Sequence, residues 1–137
     1  AVQALAYSSR QIVECMSQQG VHVDAVFVCG GLAASSLYVQ EHADALGVPV
    51  HLPQEADSVL LGSAISAHCA WQSVTQQRPP QLTKSMEALS HVKEVVLPRT
   101  QQQQSAGERL RLFHDKKYRV FVKMYDHYRE LQCMMAE

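Results

Sequence analysis

VFVCGGLAASSLYVQEHADALGVPVHLPQEADSVLLGSAISA, residues 26–67, is the stretch on which the fold turns. It follows Ala25, and AVFVC (25–29) is a continuous apolar, β-rich run ending in Gly30-Gly31, the pattern of a parallel strand buried on both faces. Ser35 to Leu46 then reads as a helix, with Ser35 or Ser36 as its N-cap and Gly47 as its stop, and VPVHL (48–52) reads as a second short strand. Strand, glycine turn, helix and strand make a βαβ unit, parallel and right-handed by default. The fold class expected is therefore α/β, with a short, mostly parallel sheet. A further helix begins at Ser58; VLLGSAISAHCAW is apolar or small almost all round, which predicts burial against the sheet, with Gly62, Ser63 and Ala64 allowing close approach.

Outward from this unit, Val2, Leu5, Ala6, Ile12, Val13 and Met16 mark an amphipathic helix over 2–18 that stops near Gly20. It starts at residue 1 with no cap or preceding turn, so the chain is expected to open inside something larger. Pro79-Pro80 closes the middle part, a short helix is expected around Lys84–Ser90, and VKEVVLP (92–98) suits an edge strand or an extended arm. TQQQQSAG (100–107) is polar and without an apolar anchor, the composition of a mobile loop. Leu110, Phe113, Phe121, Met124, Tyr128, Leu131 and Met135 recur at helical spacing and predict one long C-terminal helix over 108–137.

Length and composition restrict what such a chain can be. Its 137 residues hold one core, and 47% hydrophobic with 18% charged residues is a globular composition. Twelve basic and 13 acidic side chains give a formal charge of −1, against the positive excess of a surface that tracks phosphates, so nucleic acid is not expected as a partner. No apolar run is long enough to span a membrane, and AVQALAYSSR lacks the regions of a signal peptide, so a cytoplasmic or organelle-matrix protein is expected. Cys15, Cys29, Cys69 and Cys133 form no CxxC or CxH pairing; they read as reduced, mostly buried thiols. The seven histidines share no metal-ligand spacing and read as surface or packed residues.

The familiar catalytic motifs are missing. Gly30-Gly31 is followed by LAASS, so there is no GxGxxG, and neither a P-loop nor a GxSxG elbow occurs. What remains is a diglycine at the carboxyl end of a strand, ahead of a helix N-terminus, where a ligand can approach the backbone. Asp44 and Glu55 flank the second strand, but carboxylates on a helix surface or a loop are solvated by default.

Taken together, Gly30, Gly31, Ser35, Leu37, Gln40, Ala43, Asp44, Gly47, Pro49, Val50, Glu55, Leu61, Gly62 and Ala64 resemble the adenosine-motif region of the FGGY carbohydrate kinases. The opening helix resembles the one preceding that motif, while Met86–Pro98 and HDKKYRVFVKMYDHYREL resemble the closing segments of the ribulokinase-like branch. The resemblance implies an actin-like, ribonuclease-H-like ATPase fold and transfer of the γ-phosphoryl of ATP to a sugar hydroxyl with Mg²⁺. The sugar implied is a ketopentose, D-ribulose ahead of L-ribulose and xylulose.

Only the last part of such an enzyme matches. On that reading 1–99 belong to the adenosine-binding domain, 100–107 are a loop, and 108–137 pack as a helix on the same domain. Gly30 and Gly31 would set backbone against the phosphate and ribose side of the nucleotide, and Ser35 would lie near the adenine. Leu32 stands where many members have a third glycine, and Gln40, Asp44 and Glu55 would fix geometry. No catalytic or metal-binding residue is expected in this chain: the base and the Mg²⁺ ligands would lie outside it, the fragment alone would be inactive, and it would form a dimer or larger assembly. The rival expectation is a stand-alone, non-catalytic nucleotide-binding or protein-interaction module using its long helix.

Overall fold

The computed structural model describes residues 1–77, 79–101 and 105–136. Helix α1 (Val2–Gln18) leads to strand β1 (Val26–Phe27), a 3₁₀ turn (Gly31–Ala34), α2 (Ser36–Leu46) and β2 (Val50–Pro53). There follow α3 (Ser58–Gln76), α4 (Leu82–Leu89), β3 (Val92–Val96), a second 3₁₀ turn (Arg99–Gln101) and α5 (Ser105–Ala136).

Helix α2 is the hub. Its ends are set locally: Ser35 Oγ accepts the Tyr38 N–H at 3.4 Å, and Gly47, at φ 71°, returns its N–H to the Ala43 carbonyl at 2.9 Å. One face carries Val39 and Ala43 onto Val50 of β2, with Val28, Leu52 and Val96 packed at the margin. The other carries Ala45 onto Ala6 and Tyr7 of α1 and Tyr118 of α5. Burial on both sides leaves His42 and Asp44 inside as well, at 2% and 3% exposure.

The sheet has the order β1-β2-β3. β1 runs parallel to β2, with Val26 opposite Val50 and Phe27 opposite His51, as the βαβ unit requires. β3 is antiparallel to β2, so the sheet is mixed, and β3 is the edge strand expected of VKEVV. Opposite β3, Leu52 pairs with Glu94 and Pro53 with Val92, leaving Lys93 as the extra residue of a bulge.

The turn after β3 sits on the carboxyl end of α2. Thr100 Oγ1 donates to the Asp44 carbonyl at 3.5 Å and the Gln101 side-chain amide to the Gly47 carbonyl, supplying partners to carbonyls that a helix end leaves unpaired. The stretch 100–107 thus begins in an anchored turn and ends in α5, which starts at Ser105; Gln102–Gln104 lie outside the described residues. The first half of α5 packs on α1 through His114, Tyr118 and Phe121. Beyond it, Met124, Tyr128, Leu131 and Met135 are exposed.

Three expectations about burial are corrected. Of AVFVC only Val26–Phe27 form strand β1, with the Val28 N–H adding one bond to the His51 carbonyl at 3.1 Å, and Phe27 is 64% exposed rather than covered on both faces. Helix α3 packs on α4 and not on the sheet; it buries Ile65 and Cys69 alone, leaves Val59, Trp71 and Val74 exposed, and a Cβ at Gly62 would meet open space. Of the four free thiols only Cys69 is buried. All three follow from apolar patterning that exceeds what these elements can bury among themselves.

Candidate functional site

At the carboxyl ends of the parallel pair β1 and β2 lies a cleft of about 610 Å³. Gly30, Gly31 and Ala33 form one wall, Leu52 and Pro53 the floor, and the first turn of α3, Asp57 to Val59, the far side. This is where an open α/β sheet offers its crevice. Gly30 shapes it: at φ 87° and ψ −177° its backbone adopts a conformation open essentially only to glycine. Gly31 has no such constraint, yet a Cβ there would meet nothing within 4 Å, so its backbone stays bare at the cleft wall. The two glycines thus act differently, the first bending the chain and the second keeping it uncovered.

Ser35 lies on the same turn but does not line the cleft; its oxygen caps α2, which leaves the hydroxyl proton free to donate. Leu32 is 56% exposed. Gln40 and Asp44 sit behind the wall and hold geometry: the Gln40 amide donates to Asp44 Oδ1 at 3.1 Å and to the Leu97 carbonyl at 3.2 Å, tying α2 to the end of β3. Asp44 is buried in a clamp with Arg99 rather than solvated. Glu55 accepts the Asp57 N–H at 3.2 Å, steadying the entry to α3.

Two lining residues escaped the sequence reading, Asp57 and Lys93. Asp57 is the lining's one carboxylate and is engaged as N-cap of α3, accepting the Leu60 N–H at 3.0 Å. Lys93 is its one cation. The order apolar, polar, polar, apolar, apolar over Val92–Val96 breaks strand alternation, and that slip was the available signal of the bulge. The cleft thus presents bare glycine backbone, one carboxylate that caps a helix and one cation. Toward a Mg²⁺ ion the lining offers a single carboxylate, Asp57, and among the described residues no three His, Cys, Asp or Glu side chains converge.

Beside a hollow of about 470 Å³ between Gln11, Cys15, Tyr118 and Val122, two others lie on the α1–α5 side. The larger, about 830 Å³, is a mostly apolar groove between Tyr7, Leu37, Phe121, Met124 and Tyr128, with Gln3, Glu41 and Lys117 also in its lining. The smaller, about 380 Å³, is a polar junction where charges are already paired: Arg10 donates to Glu14 and to Asp115, both at 2.9 Å. Beside it Tyr7 Oη meets His114 Nδ1 at 3.1 Å, and burial pushes the imidazole below its ordinary value against the pull of Glu41 and Asp44. Burial and the Glu14 hydrogen bond, 2.7 Å, push the Tyr118 phenol above its own. These groups join α1 to α5, and Tyr7 also lines the larger groove.

Comparison with known proteins agrees with this geometry. Over 95% of its length the chain superposes, with a TM-score of 0.69 and 21% identity, on 24% of a xylulose kinase from Rhodospirillum rubrum, which makes the fold that of an actin-like ATPase domain. Residues 1–71 match the C-terminal domain of the FGGY family of carbohydrate kinases, and the chain belongs to that family. FGGY carbohydrate kinase domain-containing proteins are 38% identical over 136 residues in Homo sapiens and 37% over 135 in Xenopus laevis, alignments covering 99% and 98% of this chain. The chain spans about a fifth of the length of these curated relatives, 22% of each.

Proposed function

We propose that this chain is the adenosine-binding part of an ATP-dependent carbohydrate kinase. One observation carries the reading: in an FGGY C-terminal domain, a cleft at the carboxyl ends of the parallel strands is walled by the bare backbone of Gly30 and Gly31. Gly30 and Gly31 would receive the ribose and phosphate side of the nucleotide, and Ser35, through its remaining hydroxyl proton, the adenine edge. Residues 1–99 with the helix from 108 onward serve as one nucleotide-binding unit, and the catalytic base, the sugar pocket and the Mg²⁺ ligands come from outside these 137 residues.

The substrate we assign is a ketopentose, D-ribulose before L-ribulose and xylulose. Support comes from the ribulokinase-like wording of Met86–Pro98 and of the final helix, segments beyond the 71 residues that the family domain matches. A cytoplasmic location goes with this reading; among the described residues no helix is long and apolar enough to cross a membrane. A coupled assay of the full-length kinase with ATP and a panel of ketoses and polyols tests it. D-ribulose should give the highest kcat/KM, and preference for a polyol would overturn the assignment.

A further inference from the structure

Lys93 stands out because of where the strand puts it. β3 follows regular antiparallel pairing from Val96 to Glu94, opposite Val50 to Leu52, and resumes at Val92 opposite Pro53; Lys93 alone has no partner in the register. Beyond it the Gln54 N–H donates to the His91 carbonyl at 2.9 Å, so the bulge is closed on both sides and belongs to the ladder rather than to a frayed end. A bulge re-aims the side chain of its extra residue, and such devices concentrate beside functional sites.

The re-aimed side chain lines the diglycine cleft. It is the lining's one cation, and among the described residues it has no ion-pair partner. The lining's one carboxylate, Asp57, accepts the Leu60 N–H through Oδ1 and forms no ion pair with Lys93. A cation without an ion-pair partner, lining the same cleft as bare glycine backbone, is complementary to a phosphate group that enters beside a flat apolar group.

Resting on the nucleotide reading of the cleft, we infer that Lys93 is a binding residue for the phosphate chain of the adenine nucleotide, set by the β3 bulge to reach across from Gly30 and Gly31. Apolar walls take the nucleoside, and Lys93 supplies the charge that separates nucleotide from nucleoside. Lysine suits this role as a mobile point charge on a flexible stem.

The test is calorimetric titration of the protein with adenosine and with ADP, for the wild type and for Lys93→Met and Lys93→Arg, with circular dichroism confirming the fold of each. Lys93→Met should weaken ADP about tenfold or more while leaving adenosine within about twofold, the loss expected for one hydrogen-bonded charge contact. It should also lower the salt dependence of ADP binding, and Lys93→Arg should recover most of the affinity. Unchanged ADP affinity in Lys93→Met, or equal weakening of ADP and adenosine, overturns the role of Lys93 and leaves the cleft a nucleotide site. A wild type that binds neither ligand overturns the nucleotide reading itself and this inference with it.

Discussion

Arg99 grips Asp44 with its backbone as well as its side chain: Oδ1 accepts the Arg99 main-chain N–H at 2.6 Å, and Oδ2 accepts Nε at 2.8 Å and Nη2 at 2.6 Å. The Asp44 side chain is fully buried while that of Arg99 is 48% exposed, so the pair is a buried anion held by a cation at the surface. It fastens the turn after β3 onto the hub helix behind the cleft.

Removing the cation should therefore cost more than an ordinary surface ion pair. Arg99→Ala leaves a buried carboxylate with the Gln40 amide and one backbone N–H, and should lower stability by about 3–5 kcal/mol. Arg99→Lys, which keeps the charge but loses the fork, should recover part of that. Urea unfolding of the three proteins measures it; a loss under about 1 kcal/mol for Arg99→Ala would mean that the clamp is no more than a surface bridge.

A second joint responds to pH. Burial lowers the His114 imidazole below its ordinary value, and Tyr7 Oη occupies its Nδ1 while Nε2 is buried without a partner. The folded protein thus holds this proton less well than the unfolded chain, whose histidine titrates near 6.5. The contribution is complete above that value and is lost as pH falls through it. Stability should drop between pH 7 and pH 5, and His114→Gln should flatten that part of the profile; urea midpoints at both pH values with an unchanged slope in the variant would assign the dependence to other groups.

The parts of this architecture fixed by neighbouring residues could be read directly. Ser35 and Gly47 delimit α2 because cap and left-handed stop are local chemistry, and Gly20 ends α1 in the same way. Burial was not legible, since the apolar run of AVFVC and the all-round apolarity of α3 show a tendency to be covered without showing that the cover lies within these residues. The Arg99–Asp44 clamp spans 55 residues and the Tyr7–His114 contact 107, distances at which one sequence carries no pairing signal. The cleft was half legible: the diglycine announced itself, whereas Lys93 depended on reading a broken alternation as a bulge.

The two glycines should separate in mutagenesis. Gly30→Ala forces an L side chain into the φ 87° conformation and should destabilise by about 1–3 kcal/mol whatever it binds. Gly31→Val has room and should stay within about 1 kcal/mol of the wild type, yet it covers backbone that the nucleotide must approach. In the full-length kinase it should raise KM for ATP at least tenfold more than KM for sugar. Parallel movement of the two constants, or none, would reduce Gly31 to a turn residue.

The 137-residue chain by itself should turn over no sugar. Phosphoryl transfer rests on positioning and on charge stabilisation by metal and phosphate-binding groups, and the proposed reading puts the base, the sugar pocket and the Mg²⁺ ligands outside these residues. Saturable, sugar-dependent ADP release from the pure chain would place catalytic groups within it and contradict the assignment.

The same chain should not remain a monomer. Val59, Leu60 and Val74 of α3 are 80%, 66% and 79% exposed, and Met124 and Met135 of α5 are 68% and 88% exposed, large apolar side chains left in water on two helices. The short edge β1 adds unpaired backbone beside the exposed Phe27. Burial of these faces against a second copy is the readiest way to remove them from water, so light scattering should give a dimer or a larger assembly rather than the 15.3 kDa chain. Val74→Lys on α3 and Met124→Glu on α5 identify the face: the substitution that restores the monomer marks the surface buried on association. A wild type that scatters as a monomer across a wide concentration range would refute the prediction, and would mean that these residues tolerate exposed apolar helices without a cover.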